Sequence, residues 1–372
     1  MKTANGHEII QLFESWSPKS FALEGDPIGL QIGQLNRQIQ NVLVTLDVTL
    51  EVVQEAIDHN CQLILAHHPP IYRPLKNIRT DTPTGKIVEL CIKHDIAVYA
   101  AHTNLDVAPG GVNDLLAEAL ELQEIKMLDE TYSESLMKLA VYVPNTHAQT
   151  LRKQLAVVGA GEIGNYDSCS FSSLGTGRFQ PRDGSNPVIG QLNQLEEVEE
   201  EKIEVVFASS KKSIILKAMY EYHPYEEVAF DLWSLESKTG QQGIGRIGLL
   251  AQSMTLDDFA SKVKEQLHVP FVRVVGDSTK IIRKVAVLGG DGNKYIQTAK
   301  RAGADVLVTG DLYFHVAQEA QTLGLSVVDP GHHVESIMKS GVAVKMNKMC
   351  EESKYKCRFI PSSISTEPFR VK

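Results

Sequence analysis

The 372-residue sequence is predicted to fold as an α/β protein of two related α/β halves, interrupted by an inserted α+β domain. Three observations predict this fold class. Apolar runs typical of strands alternate with amphipathic helical segments near both ends of the chain, the last third repeats the spacing of the first, and the middle follows another order of elements. We expect the halves to be residues 1–129 and 241–372, and the insert to be residues 130–240.

The first half is predicted to open with an amphipathic helix, "GHEIIQLFESW", and a turn rich in Gly and Asp, "EGDPIGLQIG". Apolar strands are then expected in "NVLVTLDVT", "QLILAHH" and "IAVYAAHTNLD", with helices in "TLEVVQEAIDHNC" and "GKIVELCIKHD" between them. Strands that are apolar throughout and are joined by helices are typical of a parallel sheet with helices on its faces.

The last third repeats this pattern at a distance of 243 positions. The shift places Val42–Val44 on Val285–Val287 and Leu63–Leu65 on Val306–Val308, with no gap between them. A third strand is expected in "LSVVDPGHHVE". We interpret the equal spacing as two related halves; the alternative is that unrelated β-α-β units simply resemble one another.

The middle of the chain is predicted to be a ferredoxin-like domain. Its strands are expected in "MKLAVYVP", in "NYDSCSFSS" and "TGRFQP", in "LEEVEEEKIEVVFA" and in "EEVAFDLWSL". Its helices are expected in "THAQTLRKQLAVVGA" and "SKKSIILKAMYEYH". The resulting order β-α-β-β-α-β is that of the ferredoxin-like unit. The stretch "SKTGQQGIGRIG" has the Gly and Lys of a linker and is predicted to connect the insert to the second half.

Composition narrows the classes of function. The net charge of −9 argues against sequence-independent nucleic-acid binding, which depends on phosphate neutralisation by Lys and Arg. The five cysteines form no C-x-x-C pair and are expected to be reduced thiols. The sequence shows neither an apolar leader near its start nor a run of 18 apolar residues, so we expect a cytoplasmic protein with no membrane partner.

Residues of the types that commonly bind metals, His, Asp and Glu, follow the ends of four predicted strands. In an open parallel sheet, ligands bind outside the carboxyl ends of the strands. The side chains at these ends are His67 and His68; His102, Asn104 and Asp106; Asp311; and His332, His333 and Glu335. Histidines together with carboxylates suit Zn²⁺, Mn²⁺ or Fe²⁺. The pattern therefore predicts that the two halves form one metal-binding domain.

Spacing favours particular residues in this set. If a helix begins at the second His pair, residues three apart share a face, so His332 and Glu335 converge and His333 is the less favoured alternative. Adjacent His67 and His68 could each face a different ion, with Glu335 bridging two ions about 3.5–4 Å apart.

Two further residues are candidates for a catalytic role near the ions. His102 is expected to orient a ligand or to pack in the core, and Asp311 either faces the same crevice or forms a turn. Both are candidates for proton transfer. The backbone N–H groups of the stretch "VLGGDGNKY" could bind a phosphate at a helix N-terminus, although the stretch lacks the full P-loop signature.

The motifs "LAHHPPI", "AAHTNLD", "GHHVE" and "EGDPIGLQIG" together resemble the dinuclear-metal-centre hexameric proteins known as GTP cyclohydrolase 1 type 2 homologs, over essentially the whole chain. The resemblance implies two divalent ions per chain, with Zn expected and Mn or Fe as alternatives. It implies that His68 and Asp106 hold one ion, that His67 and His332 hold the other, and that Glu335 binds both. It also implies a toroidal homohexamer, a trimer of dimers, whose insert is similar to copper-tolerance and nitrogen-regulator signalling domains.

Three functions are compatible with these observations. The first is a metal-dependent hydrolase acting on a nucleotide or a related small molecule, either by opening guanine at C8 with loss of formate, as in GTP cyclohydrolase chemistry, or by cleaving a phosphoester. The second is a non-catalytic, metal-dependent regulator or scaffold. The third, a ring that threads nucleic acid, is disfavoured by the net charge.

Overall fold

The computed structural model describes residues 2–372 of the chain, and the predicted α/β class is confirmed. The chain divides into two compact units. One consists of Met1–Tyr132 together with Gln242–Lys372, and the other is Ser133–Gln241. The boundaries between the units fall within two long strands, Gln123–Pro144 and Phe230–Thr255. No helix in residues 2–372 combines the length and the apolar character needed to cross a membrane.

The described part of the chain contains eleven α-helices. They are α1 (Gly6–Trp16), α2 (Leu50–Asp58), α3 (Pro83–Lys93), α4 (Thr103–Val107), α5 (Val112–Ala119), α6 (Asn145–Val157), α7 (Lys212–Tyr222), α8 (Leu256–Gln266), α9 (Ile296–Arg301), α10 (Phe314–Thr322) and α11 (Met338–Glu352).

The same residues contain fifteen strands. They are β1 (Ala4–Asn5), β2 (Gly29–Ile32), β3 (Gln38–Ile39), β4 (Asn41–Thr45), β5 (Leu63–Ala66), β6 (Ala97–Ala100), β7 (Gln123–Pro144), β8 (Phe171–Phe179), β9 (Glu196–Ala208), β10 (Phe230–Thr255), β11 (Arg273–Val275), β12 (Ile281–Asp291), β13 (Val306–Gly310), β14 (Ser326–Asp329) and β15 (Arg358–Pro361).

Local sequence explains where several helices begin. Asn5 and Glu8 form a reciprocal capping box at the start of α1. Thr49 caps α2 through its side chain, and Thr82 does the same for α3, which has Pro83 in its first turn. Each such cap stabilises its helix by about 1 kcal/mol.

The sheet of the first half has the strand order β15-β4-β5-β6-β2. The first four strands are parallel, as predicted, and β2 runs antiparallel to β6 at the edge. The sequence prediction did not include β15, which comes from the far end of the chain and pairs with β4. The second half uses the order β11-β14-β13-β12-β10, in which β12, β13 and β14 are parallel and the two outer strands are antiparallel.

The first two parallel strands of each half pair in the same register, and their corresponding residues face the same apolar core. Val42 pairs with Leu63 in the first half, and Val285 pairs with Val306 in the second, which is the same register under the 243-residue shift. The correspondence ends after these two strands because the connection that follows β5 spans residues 67–82, whereas the one that follows β13 spans only 311–313.

A large apolar core joins the two sheets of this unit. Inward-facing residues of both sheets pack against α1, α5, α8 and α11 in one cluster. Alternate residues of the same strands point outward, against α2 and α3 in the first half and against α9 and α10 in the second. Because both faces of each sheet are covered, the central strands are apolar throughout, which is the pattern seen in the sequence.

The unit Ser133–Gln241 has the element order β7-α6-β8-β9-α7-β10. Its strands lie in the order β10-β7-β9-β8, and β9 is antiparallel to both of its neighbours. One face carries a separate apolar core formed by the two helices with β7 and β9. This is the β-α-β-β-α-β arrangement of a ferredoxin-like unit.

We propose that this unit is an insertion that folds independently of the two halves. The large core that joins the two sheets contains no residue from 133–241, and the unit has a core of its own. Replacing residues 133–241 by a short Gly-Ser linker should therefore leave a chain that unfolds cooperatively, as measured by circular dichroism during heating. A deletion product that shows helical signal but no cooperative transition would contradict the proposal.

Candidate metal centre

All seven site residues predicted from the sequence lie together at the carboxyl ends of β5, β6, β13 and β14. They are His67 and His68 after β5, His102 and Asp106 after β6, Asp311 after β13, and His332 and Glu335 after β14. Six of them form three groups whose ligand atoms lie within 4.8 Å of one another: His67, His68 and His102; His68, His332 and Glu335; and His67, Asp106 and Glu335. Asp311 joins the site through His332.

His67 and Asp106 form the most deeply buried part of the site. The His67 side chain is fully buried, and its Nε2 lies 3.6 Å from Asp106 Oδ1 and 3.8 Å from Glu335 Oε1. Neither His67 Nε2 nor Asp106 Oδ1 has a hydrogen-bond partner. Since buried polar atoms are nearly always paired, two facing acceptors without hydrogen-bond partners are suited to hold a cation between them.

Glu335 connects this pair to the other two histidines. Its side chain is almost completely buried, and Oε2 lies 3.0 Å from His68 Nε2 and 3.1 Å from His332 Nε2. Its other oxygen, Oε1, faces His67. Because the two oxygens of one carboxylate face different histidines, Glu335 has the geometry of a bridging ligand.

Each of the four histidines is held by its Nδ1. His68 donates to Asp47 Oδ1 at 2.7 Å, His332 to Asp311 Oδ2 at 2.7 Å, His102 to Asp26 Oδ1 at 2.9 Å, and His67 to the Ala101 carbonyl at 2.9 Å. A carbonyl or carboxylate oxygen can only accept, so Nδ1 carries the proton in every case. Nε2 is thereby presented to the centre, which is the usual arrangement of histidines that bind metals.

The pKa values of the site reflect the concentration of ionisable groups. Burial lowers the pKa of His68, but hydrogen bonds with Asp47 and Glu335 outweigh burial and raise it to about 10. The hydrogen bond with Glu335 raises the pKa of His332 to about 9. Burial raises the pKa of Asp106 to about 6. The raised pKa values of His68 and His332 reflect the attraction between their rings and the buried Glu335 carboxylate.

Burial acts against ionisation of Glu335 as well, yet its pKa is held well below the usual range. Hydrogen bonds from the histidines, above all His332, outweigh burial and stabilise the carboxylate. The same balance lowers the pKa of Asp47 and Asp26: each is partly buried, but each accepts a hydrogen bond from its histidine, and this outweighs the burial. Glu335 therefore offers an ionised carboxylate to a cation, whereas Asp47 and Asp26 use theirs to hold histidine rings.

The stretch considered as a phosphate loop instead makes room for Glu335. Gly290 has a φ of +61°, and a Cβ there would lie 2.7 Å from Glu335 Oε1; one at Gly289 would lie 3.0 Å from the same atom. The helix that follows, α9, has six residues and begins only at Ile296. The glycines are therefore required by the approach of the carboxylate to the backbone.

A helix does begin at the second His pair, and it is a 3₁₀-helix, His332–Ile337, that leads into α11. Residues three apart eclipse in a 3₁₀-helix, so the argument for His332 and Glu335 holds in this geometry as well. His333 belongs to none of the three groups, and its buried Nε2 has no hydrogen-bond partner.

The grouping of ligands differs from the one implied by the resemblance. His67 lies with Asp106, and His68 lies with His332, whereas the resemblance paired His68 with Asp106 and His67 with His332. The reason is the direction of each ring. Ala101 holds His67 toward α4, which carries Asp106, while Asp47 holds His68 toward the His332 turn.

Sequence analysis missed the residues that hold the ligands. Asp47 lies two residues beyond β4, where the argument from strand ends would have found it, and Asp26 lies within the quoted "EGDPIGLQIG". Asn113 donates to the Asp106 carbonyl and accepts from the Gly289 N–H, which ties the two halves together beside the site. Asn104, which was named at a strand end, instead donates to Ser17 and lies outside the three groups.

A cavity of about 750 Å³ opens beside His68 and His332. His68 and His332 line this cavity, whereas the buried pair His67 and Asp106 does not. Arg273 lies on its wall and pairs with the buried carboxylate of Asp329, which also accepts from the Gly331 and Leu312 N–H groups. These bonds fix the turn that presents His332.

The donor set fits divalent cations such as Zn²⁺, Mn²⁺ or Fe²⁺. It combines imidazole Nε2 atoms with carboxylate oxygens and contains no thiolate, because the chain's cysteines lie outside all three groups. The bridging geometry of Glu335 and the two unpartnered atoms fit a pair of ions better than a single one.

Comparison with known proteins agrees with the resemblance noted in the sequence. A Bacillus subtilis (strain 168) protein named "GTP cyclohydrolase 1 type 2 homolog" is 56% identical over 368 residues, which cover 99% of each chain. Among solved structures, a Bacillus cereus protein related to NIF3 is 54% identical with a TM-score of 0.93. A Staphylococcus aureus protein is 32% identical with a TM-score of 0.84, and both structural matches cover 100% of each chain.

The family resemblance predicted from the motifs is thus confirmed over nearly the whole chain. The family model described as Duf34/NIF3 (NGG1p interacting factor 3) matches residues 4–368, a range that includes every residue of the candidate metal centre. The chain belongs to the Duf34/NIF3 family.

Proposed function

We propose that the chain binds two divalent metal ions and uses them to hydrolyse a nucleotide or a related small molecule. The single observation that carries this proposal is that three histidines fixed by Nδ1 turn their Nε2 atoms toward the buried Glu335, with one of them, His67, also facing the buried Asp106. The name of the Bacillus subtilis relative supports a nucleotide as the substrate.

The structure suggests how the ligands divide between the ions. His67, Asp106 and Glu335 would hold one ion, and His68, His332 and Glu335 would hold the other. When bound, such a pair of ions supplies Lewis acidity and lowers the pKa of water. Zinc is the expected metal because histidine and carboxylate ligands suit it, with Mn²⁺ or Fe²⁺ as alternatives.

The remaining side chains position the ligands or handle protons. Asp47 and Asp311 fix the rings of His68 and His332 and so hold their Nε2 atoms in place. His102 is fixed by Asp26, and its ligand atom lies within 4.8 Å of those of His67 and His68. We assign His102 Nε2 to proton transfer at the substrate, and Asp311, whose carboxylate is engaged by His332, to positioning.

A non-catalytic, metal-dependent regulator is the second candidate. The separate unit Ser133–Gln241 favours it, since a compact unit with its own core could bind a partner or a ligand and use the metal centre as a scaffold. The two candidates differ in whether the loaded protein turns over a substrate.

The metal content of two histidine variants tests the assignment of the ligands. His332→Ala should lower the metal content from about two ions per chain to about one or fewer, because the ligand group of His68 and Glu335 loses a member. His333→Ala should keep both ions and is the matched control. Mass spectrometry of the native, loaded protein measures this. Loss of metal from the His333 variant alone would overturn the assignment.

Turnover separates the enzyme from the regulator. Metal-loaded protein incubated with a panel of nucleotides that includes GTP should release a product detectable by chromatography. His67→Ala should abolish the release, since it removes the buried Nε2 that faces Asp106 and Glu335. His315→Ala, at an exposed histidine on α10, is the control. If the wild-type protein binds the metal but turns over none of the compounds, the result favours the regulator.

We further propose, on the resemblance, a homohexamer whose assembly does not need the ions. All five proposed ligands come from a single chain, so the ions would not link one subunit to the next. Removal of metal by a chelator at pH 7 should therefore leave the mass measured by light scattering unchanged. Dissociation into single chains on chelation would show that the ions hold the assembly together.

A further inference from the structure

Residues 362–372 follow β15 without forming a helix or a strand, and part of this segment lines the cavity beside the metal centre. The lining residues of the segment are Thr366, Glu367, Pro368 and Phe369. The proposed function assigns no role to them, although they face the same space as His68 and His332.

The first part of the segment is anchored firmly on the first half. The Ser362 N–H donates to the Val44 carbonyl at 2.8 Å and continues the pairing of β15 with β4. The buried carboxylate of Glu55 accepts from the Ser363 N–H at 2.7 Å and from both serine hydroxyls. Lys339 donates to the Ile364 carbonyl at 3.0 Å. The segment therefore reaches the cavity along a fixed path.

Thr366 then connects the segment to the metal centre. Its hydroxyl donates to Asp47 Oδ2, while Asp47 Oδ1 accepts from His68 Nδ1. One carboxylate thus holds both a proposed metal ligand and the wall of the cavity. The position of the wall relative to His68 is set by this shared group.

The lining of the cavity combines charged and polar side chains, Arg273 among them, with apolar and aromatic ones. Phe369 lines one side and is 74% exposed, and Phe271, which also lines the cavity, is 40% exposed, with prolines at 270, 330 and 368 around them. The phenylalanine and proline side chains offer no hydrogen bonds. An oxyanionic part of a ligand is best accommodated near His68 and His332, where the ions are proposed to bind, or beside the Arg273 guanidinium, and an apolar part against the phenylalanines.

The size of the cavity indicates a small molecule as its occupant. Its volume of about 750 Å³ lies within the range of about 300–1,000 Å³ that is common for small-molecule sites. Two chemically different ends in one cavity of this size suit a compound with an oxyanionic group joined to a flat apolar ring.

Building on the two-metal site proposed above, we propose that Thr366–Phe369 forms part of the substrate site, and that the substrate is a small organic oxyanion carrying a flat apolar ring. The oxyanion lies at the His68 and His332 end, where the ions are proposed to bind. The ring lies against Phe369 and Phe271. Phe369 determines specificity for the ring, and Thr366 positions the wall through Asp47.

Two stable phosphonates test the contribution of the ring separately from that of the oxyanion. Phenylphosphonate and methylphosphonate carry the same oxyanion, differ in the ring, and resist hydrolysis at the carbon–phosphorus bond. Calorimetry on the zinc-loaded, full-length protein should find phenylphosphonate about tenfold tighter, because burial of the ring against two aromatic side chains favours binding. Phe369→Ala should reduce this ratio to about twofold or less, with the affinity for methylphosphonate unchanged.

Two further variants control the result. Phe314→Ala removes a phenylalanine that is 73% exposed and lies outside the cavity, so the ratio should stay at the wild-type value. Thr366→Val keeps the shape of the side chain but removes the bond to Asp47, and it should lower the ratio several-fold while the metal content measured by mass spectrometry is retained.

Three outcomes would overturn the proposal. A wild-type ratio near one, or equal ratios in the Phe369 and Phe314 variants, would show that the wall does not contact the ligand. A change in mass by light scattering for Phe369→Ala, with the ratio unchanged, would show that the segment contacts another chain. Failure of the wild type to take up zinc would overturn the two-metal proposal itself, whereas uptake with a ratio near one would overturn only this inference.

Discussion

The buried carboxylate of Glu335 is the constraint on which the site depends. A charged group away from water is stable only when donors or cations surround it, and here three imidazoles do so, with Nε2 atoms between 3.0 and 3.8 Å from its oxygens. The surrounding structure is adapted to it. Two glycines on β12 leave space for its oxygens, and the 3₁₀ turn places His332 and Glu335 on one side.

The two halves contribute unequal parts of the centre although their strands share one register. The first half supplies His67, His68, His102 and Asp106, and the second supplies His332 and Glu335. Under the 243-residue shift His68 corresponds to Asp311, which binds the ring of His332 and is not a member of any ligand group. The repeated framework thus places polar residues at equivalent strand ends, and the identity of each residue decides whether it binds a cation or orients a group that does.

Positioning of the histidines links the metal centre to the rest of the unit. Each ring is fixed by a carboxylate or a carbonyl from a different element, so its orientation depends on the packing of that element. Outer partners of this kind typically change metal affinity by about 10–100-fold when they are lost. Asp47 extends the link further, because it joins His68 to the segment that lines the cavity.

The sequence by itself determined the α/β class, the two halves with equal spacing, and the strand ends at which the ligand residues stand. These features depend on local periodicity and on the rule that parallel strands end at the same edge of a sheet. Spacing also selected His332 over His333, since residues three apart share a face in either kind of helix.

Only the tertiary structure decided how the ligands are grouped and what holds them. The pairing of β15 with β4, the roles of Asp26 and Asp47, and the grouping of His67 with Asp106 all join residues that are far apart in the chain. The direction of an imidazole ring is set by whichever acceptor reaches its Nδ1, and that acceptor is brought there by packing of the core. No local pattern in the sequence carries this information, because hydrogen-bond partners between distant segments exist only once the sheets have come together.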